Sequence, residues 1–298
     1  MGKHAYLIMA HDNESLLKDL LKALDFELND IYLHIDKKSN IRPERLAESL
    51  QSSHLIFTER VRVKWGGYSQ IEAELVLLEA AVNSGENYEY IHLLTGVDMP
   101  LKKQKDIHEF YGRHKGREFI SCTENPPGDF MDRVKYFYPD FILIRNSIGR
   151  SIRGIFVKFQ HVVLKIDRTD KIRYGFGSAY FDISLDFAKY ILQNKKWIQE
   201  HFRDTFCADE MFIQTVYLNS PFNKEGNLYK NNQPKHPFIA NTYFDVVRAI
   251  DWKRGRPYTY KMEDYNMLME SGCLFARKFN MKIDSKIVKC ILKKVVDK

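Results

Sequence analysis

Two adjacent acids, Asp209 and Glu210, stand at the start of an apolar segment and are the side chains in this sequence best suited to acid–base chemistry. Apolar residues recur at helical spacing over 212–217, which predicts a helix with both acids in its first turn. Because a helix dipole favours acids there, one interpretation is ordinary acidic capping. The other is that Glu210 is a general base at the edge of a pocket. Spacing alone favours capping, whereas the rest of the chain favours the base.

The first half of the chain alternates short apolar strands with helices. Strands are predicted over 5–10, 31–36, 54–57 and 90–95, with helices over 14–24, 43–50 and 70–83, the last of them capped by Ser69. This order predicts an α/β fold with a Rossmann-type open sheet and helices on both faces. Ligands of such sheets bind beyond the carboxyl ends of the strands, where His11, Asp36 and Asp98 lie.

The second half is less regular. A loop is predicted over 123–140, a strand over 177–184, a helix over 185–193, a long loop over 223–237, a strand over 246–252 and a basic amphipathic helix over 283–296. The segment 145–173 mixes aliphatic residues with many lysines and arginines.

Composition limits the classes of protein that fit. The 298 residues carry a net charge of +7, which indicates an anionic partner such as a nucleotide or a membrane surface. That excess is too modest for nucleic acid to be expected. The four cysteines lie far apart without zinc-ligand spacing, so we expect free thiols in a reducing cytosol. We expect no signal peptide, because the first strand-like run begins at residue 5, and the sequence has no apolar run of 18 or more residues.

Motifs for a metal-bound diphosphate are missing from the sequence. It contains no Asp-x-Asp pair, no Walker loop and no Gly-x-Gly-x-x-Gly. Basic residues are instead frequent late in the chain, at Arg254, Arg256, Lys261, Arg277 and Lys278. Guanidinium and ammonium groups can neutralise a diphosphate in place of a metal, although any single one could equally be a solvated surface charge.

Nine short motifs follow one another along nearly the whole chain. They occupy 9–11, 34–39, 65–69, 94–101, 177–181, 209–216, 219–222, 249–252 and 274–279. In this order they resemble glycosyltransferase family 14, the core-2/I-branching enzymes, which are similar to peptide O-xylosyltransferases. The resemblance implies a GT-A-like fold with a mixed sheet and an inverting transferase that uses a UDP-sugar, most commonly UDP-N-acetylglucosamine, without a metal or other cofactor.

The resemblance also implies roles for particular residues. Glu210 would be the catalytic base, and Lys278 would contact the diphosphate. A second cation is expected upstream, where Arg256 is nearest to the family spacing and Arg254 and Lys261 are rivals. The other donor-side candidates are His11, Asp36, Asp98 and Arg277, and the acceptor-side candidates are Trp65, Ser69, Glu124, Tyr180 and Asp209, with Arg133 and Asp182 as weaker ones.

Several of these residues have a structural alternative. His11 after an apolar strand could be a core histidine, and Asp36 could cap a helix. Trp65 could be part of the core, and Asp98 before a proline could form a turn.

The whole chain is interpreted as one glycosyltransferase domain, with a nucleotide-binding half over 1–120 and an acceptor-binding half over 121–298. The animal enzymes have a membrane anchor and many disulfide cysteines. We expect neither here, and therefore expect a cytoplasmic, bacterial-type enzyme of cell-surface polysaccharide synthesis with a glycan or lipid-linked glycan acceptor. The basic segment 145–173 and the basic C-terminal helix predict peripheral contact with an anionic membrane, unless they are solvated basic faces. The alternative function is a non-catalytic carbohydrate- or nucleic-acid-binding relative.

Overall fold

A six-stranded mixed sheet is the centre of the fold in the computed structural model, which describes residues 1–124, 128–169, 171–231, 237–239 and 246–296. Its strands are β1 (Lys3–Ala10), β2 (Asn29–Ile35), β3 (His54–Phe57), β4 (Tyr88–Thr95), β6 (Phe119–Ile120) and β9 (Phe181–Ile183), in the order β3-β2-β1-β4-β9-β6. The first four are parallel, and β9 runs antiparallel to both β4 and β6. The predicted α/β fold with an open mixed sheet is therefore confirmed.

A smaller sheet lies at the carboxyl end of β4. It consists of β5 (Asp98–Pro100), β11 (Phe275–Arg277) and β10 (Arg248–Ile250) in the order β10-β11-β5. Because β11 is antiparallel to β5, the late residue Arg277 pairs with Asp98, which follows β4 by only a few residues. A two-stranded ribbon pairs β7 (Thr123–Glu124) with β8 (Gly175–Phe176).

Helices cover both faces of the large sheet. They are α1 (Glu14–Leu24), α2 (Glu44–Ala47), α3 (Ser69–Val82), α4 (Gln104–Arg113), α5 (Gly128–Lys135), α6 (Ser147–Phe159), α7 (Leu185–Gln193), α8 (Lys195–Phe202), α9 (Phe212–Leu218), α10 (Tyr265–Glu270) and α11 (Ser285–Val295). Alternate residues of β1 enter two separate cores, as the strand period of two requires. Tyr6 and Ile8 belong to the core that contains residues of α1 and α11, whereas Ala5 and Leu7 belong to the second core, which contains residues of α3, α7 and α9.

Two local predictions were wrong. Ser69 is the first residue of α3 rather than its cap, and its hydroxyl accepts a hydrogen bond from the Lys64 backbone N–H at 2.8 Å. The segment predicted as a loop over 123–140 contains α5, whose half-buried Met131 and buried Val134 pack on the second core. Tertiary packing thus stabilises a helix just after the Pro-Pro-Gly that suggested a break.

Other local predictions agree with the structure. The helix over 185–193 and the strand over 54–57 have the predicted bounds, and all four cysteines are free. The predicted long loop over 223–237 forms turns through 231, and 232–236 lie outside the described residues. In the described part of the chain, no helix is both long and apolar enough to cross a bilayer.

Candidate functional site

The two acids lie in one 3-10 turn, Ala208–Glu210, that leads into α9. Backbone hydrogen bonds hold this turn from both sides. The Cys207 N–H donates to the Gly66 carbonyl at 2.9 Å, and the Gly177 N–H donates to the Glu210 carbonyl at 3.0 Å. The turn therefore joins the 65–69 motif to the 177–181 motif, which lie far apart in the sequence.

Glu210 faces an arginine in a partly exposed position. The Arg133 Nη1 donates to Glu210 Oε2 at 2.6 Å, and the two side chains are 18% and 30% exposed. The Arg133 guanidinium lies 4.7 Å from the Phe130 ring centre and 5.9 Å from that of Phe206. Aromatic rings and a fork-shaped donor thus fix the orientation of a carboxylate that solvent can still reach.

Asp209 turns its carboxylate inward. Its Oδ2 accepts a hydrogen bond from Gln70 Nε2 at 2.8 Å, and the Gln70 Oε1 in turn accepts from the Gly66 N–H. Burial, together with the negative charge of Glu210, raises the pKa of Asp209 to about 7. Burial and the charge of Asp209 also raise the pKa of the buried Glu74 well above its usual range. The geometry favours a positioning role for Asp209, and its assignment to the acceptor stays a prediction.

The Trp65 loop forms one wall beside the acids. Trp65 is 47% exposed, so it is not part of the core. It meets the Phe206 ring edge to face at 5.7 Å, and the Arg145 guanidinium lies 4.8 Å from its ring centre. An exposed aromatic ring next to a carboxylate is suited to contact with a sugar, whereas the Ser69 hydroxyl is occupied by the loop backbone.

Gly66 is required by two features of this loop. Its φ is +75°, and an added Cβ would lie 2.7 Å from the Phe206 ring. We expect Gly66→Ala to lower the free energy of unfolding by about 2–3 kcal/mol through backbone strain and overpacking. The measurement is urea denaturation. Gly85→Ala is the matched control, because its φ is +80° with nothing within 4 Å, and it should cost only about 1 kcal/mol. Equal losses in the two variants would contradict the contact with Phe206.

Asp98 and Arg277 meet at the carboxyl end of β4. The Asp98 carboxylate accepts from the Thr95 N–H at 2.7 Å and lies 3.3 Å from Arg277 Nε. The Arg277 guanidinium is 4.8 Å from the Tyr180 ring centre. Burial raises the pKa of Asp98 and lowers that of Arg277. This arrangement links two predicted donor residues and one predicted acceptor residue, and the turn-forming interpretation of Asp98 also holds.

A fully buried ion pair lies behind Tyr180. The Arg248 guanidinium donates to both carboxylate oxygens of Asp182 at 2.7 Å, and His92 Nδ1 is 2.9 Å from Asp182 Oδ1. Although burial alone would raise it, Arg248 and His92 hold the pKa of Asp182 below its usual range. The Arg248 guanidinium also lies 5.5 Å from the Tyr180 ring centre, so the buried pair contacts this predicted acceptor-side residue from the interior.

His11 and Asp36 lie at neighbouring strand ends. Backbone hydrogen bonds connect these ends, since the Asp36 N–H donates to the Ala10 carbonyl at 2.8 Å and the Gly96 N–H to Met9 at 2.9 Å. The His11 side chain is 70% exposed, which rules out the core histidine. The Asp36 carboxylate accepts from the Lys38 N–H at 2.8 Å, so part of its capacity is used locally.

The late cations fall into two groups. Arg254 is bound by two carboxylates, Asp251 at 2.5 Å and Asp264 at 2.7 Å, so its charge is already neutralised. Within the described ranges, Arg256, Lys261 and Lys278 make no ion pair. Lys278 directly follows Arg277, at the end of β11, the central strand of the smaller sheet. Of the rivals for the second diphosphate cation, Arg254 is therefore the weakest.

Glu124 is engaged at the surface. Arg173 donates to both of its carboxylate oxygens, at 2.6 and 2.7 Å, and this pairing lowers the pKa of Glu124. Its predicted contact with the acceptor stays a prediction. In the part of the chain that the structure describes, no three His, Cys, Asp or Glu side chains form a group that could hold a metal ion.

Four residues of the site were not among the main candidates from sequence: Arg133, Gln70, Glu74 and Arg248. Arg133 lies on the helix that was predicted as a loop. Gln70 had a signal that could have been followed, because it directly follows the 65–69 motif. Arg248 gave a weaker one, as an arginine within an apolar strand.

Known proteins resemble this chain over most of its length. A family model described as "Core-2/I-Branching enzyme" matches residues 4–269. Human beta-1,3-galactosyl-O-glycosyl-glycoprotein beta-1,6-N-acetylglucosaminyltransferase 3 is 24% identical over 319 residues, which cover 96% of this chain and 66% of that protein. Human N-acetyllactosaminide beta-1,6-N-acetylglucosaminyl-transferase is 25% identical over 305 residues, covering 96% and 70%. The chain thus spans about two thirds of the length of these relatives. Apo mouse xyloside xylosyltransferase 1 aligns with a TM-score of 0.35 at 14% identity, covering 74% of this chain and 83% of that one.

Proposed function

Because the chain belongs to the family of core-2/I-branching enzymes and is a glycosyltransferase, we propose that it moves a sugar from a UDP-sugar donor to a hydroxyl of a glycan acceptor, with inversion at the anomeric carbon. The observation that carries the proposal is the Glu210 carboxylate, which Arg133 orients at 2.6 Å while leaving it open to solvent. An oriented and accessible carboxylate of this kind supports the proposed role of general base.

In the proposed reaction, Glu210 accepts the proton of the acceptor hydroxyl as that oxygen attacks the anomeric carbon. A new bond forms between the acceptor oxygen and the anomeric carbon. The bond from that carbon to the UDP oxygen breaks on the opposite face, and UDP leaves with the electron pair. A single base is sufficient for this displacement, so Asp209 need only hold the turn in place through Gln70.

The negative charge on the leaving UDP is proposed to be neutralised by Lys278 and Arg256 rather than by a metal. Both lack an ion-pair partner among the described residues, so their charges are free to meet a diphosphate. His11 and Asp36, at the ends of β1 and β2, are proposed to contact the nucleoside because ligands of such sheets bind there.

The proposed donor sugar is N-acetylglucosamine, because the two human relatives are named as N-acetylglucosaminyltransferases. A glycan or lipid-linked glycan of cell-surface polysaccharide synthesis is the proposed acceptor. The exposed Trp65 ring beside the acid turn supports a sugar on the acceptor side.

Titration calorimetry with UDP in excess EDTA tests the metal-free diphosphate site. We expect the wild type to bind UDP and Lys278→Ala to weaken binding by about 1–3 kcal/mol, the usual range for a hydrogen bond to a charged group. Lys282→Ala, which removes an exposed lysine four residues away, is the matched control and should bind like the wild type. Binding that needs added magnesium or manganese would refute the metal-free site, and unchanged binding by Lys278→Ala would refute the role of this residue.

A further inference from the structure

An apolar stripe runs along the outward side of α6 and the π-helical turn Gln160–Leu164 that continues it. We call it the α6 apolar face; its residues are Ile148, Ile152, Ile155, Phe159 and Val162, and they are 67%, 43%, 72%, 48% and 58% exposed. Their spacing of three or four residues places them on one side of the helix. A folded domain rarely leaves so long an apolar stripe in water without a partner.

The opposite side of α6 is firmly attached to the protein. The Asn146 side chain caps the helix by accepting from the Gly149 N–H at 2.8 Å. At the other end, the Gln160 amide accepts from the Phe137 N–H at 2.8 Å and donates to the Phe137 carbonyl at 3.0 Å. Phe156 packs on a small core of Tyr136, Tyr138, Ile142 and Leu143. The outward orientation of the α6 apolar face is therefore fixed by contacts on the inward side.

The charged residues of the α6 segment itself are all basic. Between 141 and 166 the chain contains five basic residues and no aspartate or glutamate; they are Arg145, Arg150, Arg153, Lys158 and Lys165. Arg145 and Arg153 stack on Trp65 and Phe206, at 4.8 and 4.4 Å from the ring centres. In the described ranges the other three make no ion pair.

The combination of apolar and basic side chains distinguishes between two possible partners, a second copy of the chain and an anionic bilayer. Two copies of the chain joined through this face would bring the basic residues close to one another, which opposes association. An anionic bilayer satisfies both parts of the surface, because the apolar side chains enter the acyl boundary while lysine and arginine meet the headgroups.

We propose that the α6 apolar face, together with the basic residues of the same segment, docks the protein on an anionic lipid surface. The inward side of the same helix reaches Phe206 through Arg153, and Phe206 closely precedes the acid turn. Docking would therefore hold the catalytic turn close to the headgroups, where a lipid-linked acceptor would be presented.

The basic C-terminal helix, which the sequence also suggested for membrane contact, does not provide a second surface of this kind. The apolar side of α11 is buried in the core against α1, at Ile287, Val288 and Ile291. The Lys289 Nζ is paired with Asp19 at 2.6 Å. The proposed membrane contact is therefore assigned to α6 alone.

Vesicle flotation tests the proposal, with phosphatidylcholine vesicles that contain or lack phosphatidylglycerol. We expect the wild type to float with the anionic vesicles only. The double variant Ile152→Glu/Ile155→Glu should lose about tenfold or more of this binding, because it puts charge into the inserted face. Ile283→Glu is the matched control, because Ile283 is 53% exposed but lies outside the α6 apolar face, and this variant should float like the wild type.

The basic residues beside this face are tested by Lys158→Glu/Lys165→Glu, two exposed lysines, which should reduce flotation about tenfold. Lys196→Glu, at an exposed lysine on α8, should not change it. Circular dichroism and thermal unfolding confirm that the variants are folded, and since neither measurement requires UDP binding or turnover, the result is independent of the proposed function.

Three results would overturn the proposal. They are no flotation of the wild type, equal flotation with uncharged vesicles, and flotation that survives the change at Ile152 and Ile155. A dimer in analytical ultracentrifugation that this double variant dissociates, without flotation, would assign the face to a second copy of the chain instead.

Discussion

Glu210→Gln is expected to lower the turnover of sugar transfer by about 10²–10⁴-fold while leaving UDP binding unchanged. Glutamine keeps the size of the side chain and can still accept a hydrogen bond from Arg133, but it cannot take a proton at neutral pH. The loss should therefore lie in kcat, with little change in KM for the donor. Radiolabelled sugar transfer under single-turnover conditions, together with UDP calorimetry on the same preparation, measures both quantities.

The matched control is Glu79→Gln. Glu79 is also a partly exposed glutamate with a cationic partner, Lys195 at 2.8 Å, but it lies on the surface of α3. Its variant should turn over at the wild-type rate. Near-normal transfer by Glu210→Gln would mean that another group removes the proton. Loss of both transfer and UDP binding would show instead that Glu210 supports the fold of the site.

Arg248→Met should strongly destabilise the protein, with a loss of about 3–5 kcal/mol in the free energy of unfolding. Methionine fills much of the same volume but leaves the Asp182 carboxylate, which is completely buried, without its guanidinium partner. An unpaired charge in the interior costs far more than a missing surface contact. Tyr180 would also lose the cation that lies 5.5 Å from its ring, so the position of this predicted acceptor-side residue should be less fixed.

Guanidinium chloride unfolding followed by tryptophan fluorescence measures this loss, provided that the denaturant slope is unchanged. Lys195→Met is the control, because it breaks a pair in which both side chains are nearly half exposed, at 49% and 48%. Such a pair contributes about 0–1 kcal/mol. If the two variants lose similar stability, the buried pair does not stabilise the protein in the way proposed.

The regular part of the fold could be predicted from the sequence because each element contains its own signal. The buried parallel strands are continuous apolar runs, and α1 and α7 repeat leucine and other apolar residues at helical spacing. Helix α5 could not be found in this way. Its packing against the second core becomes visible only when the chain is folded, and the preceding prolines suggest a loop.

The candidate site was predictable in its motifs but not in its contacts. The acids and the strand-end residues were identified from residue type and position, and the family resemblance added the Trp65 loop and the expected roles; the match over 4–269 confirms the family. Partners such as Arg133 for Glu210, or Gln70 for Asp209, come from segments far away in sequence. Only the folded chain brings them together, so the spacing of residues gives no indication of these pairs.

The packing of α11 against α1 has a consequence for biosynthesis. Asp19 and its partner Lys289 are separated by 270 residues. A ribosome that adds about 5–20 residues per second needs roughly 15–50 s to synthesise this interval. Throughout that time the apolar side of α1 is already made while the helix that covers it does not yet exist. The nascent chain therefore exposes an apolar surface near its N-terminus for tens of seconds. A chaperone that shields the first helix would protect the chain from aggregation until translation ends.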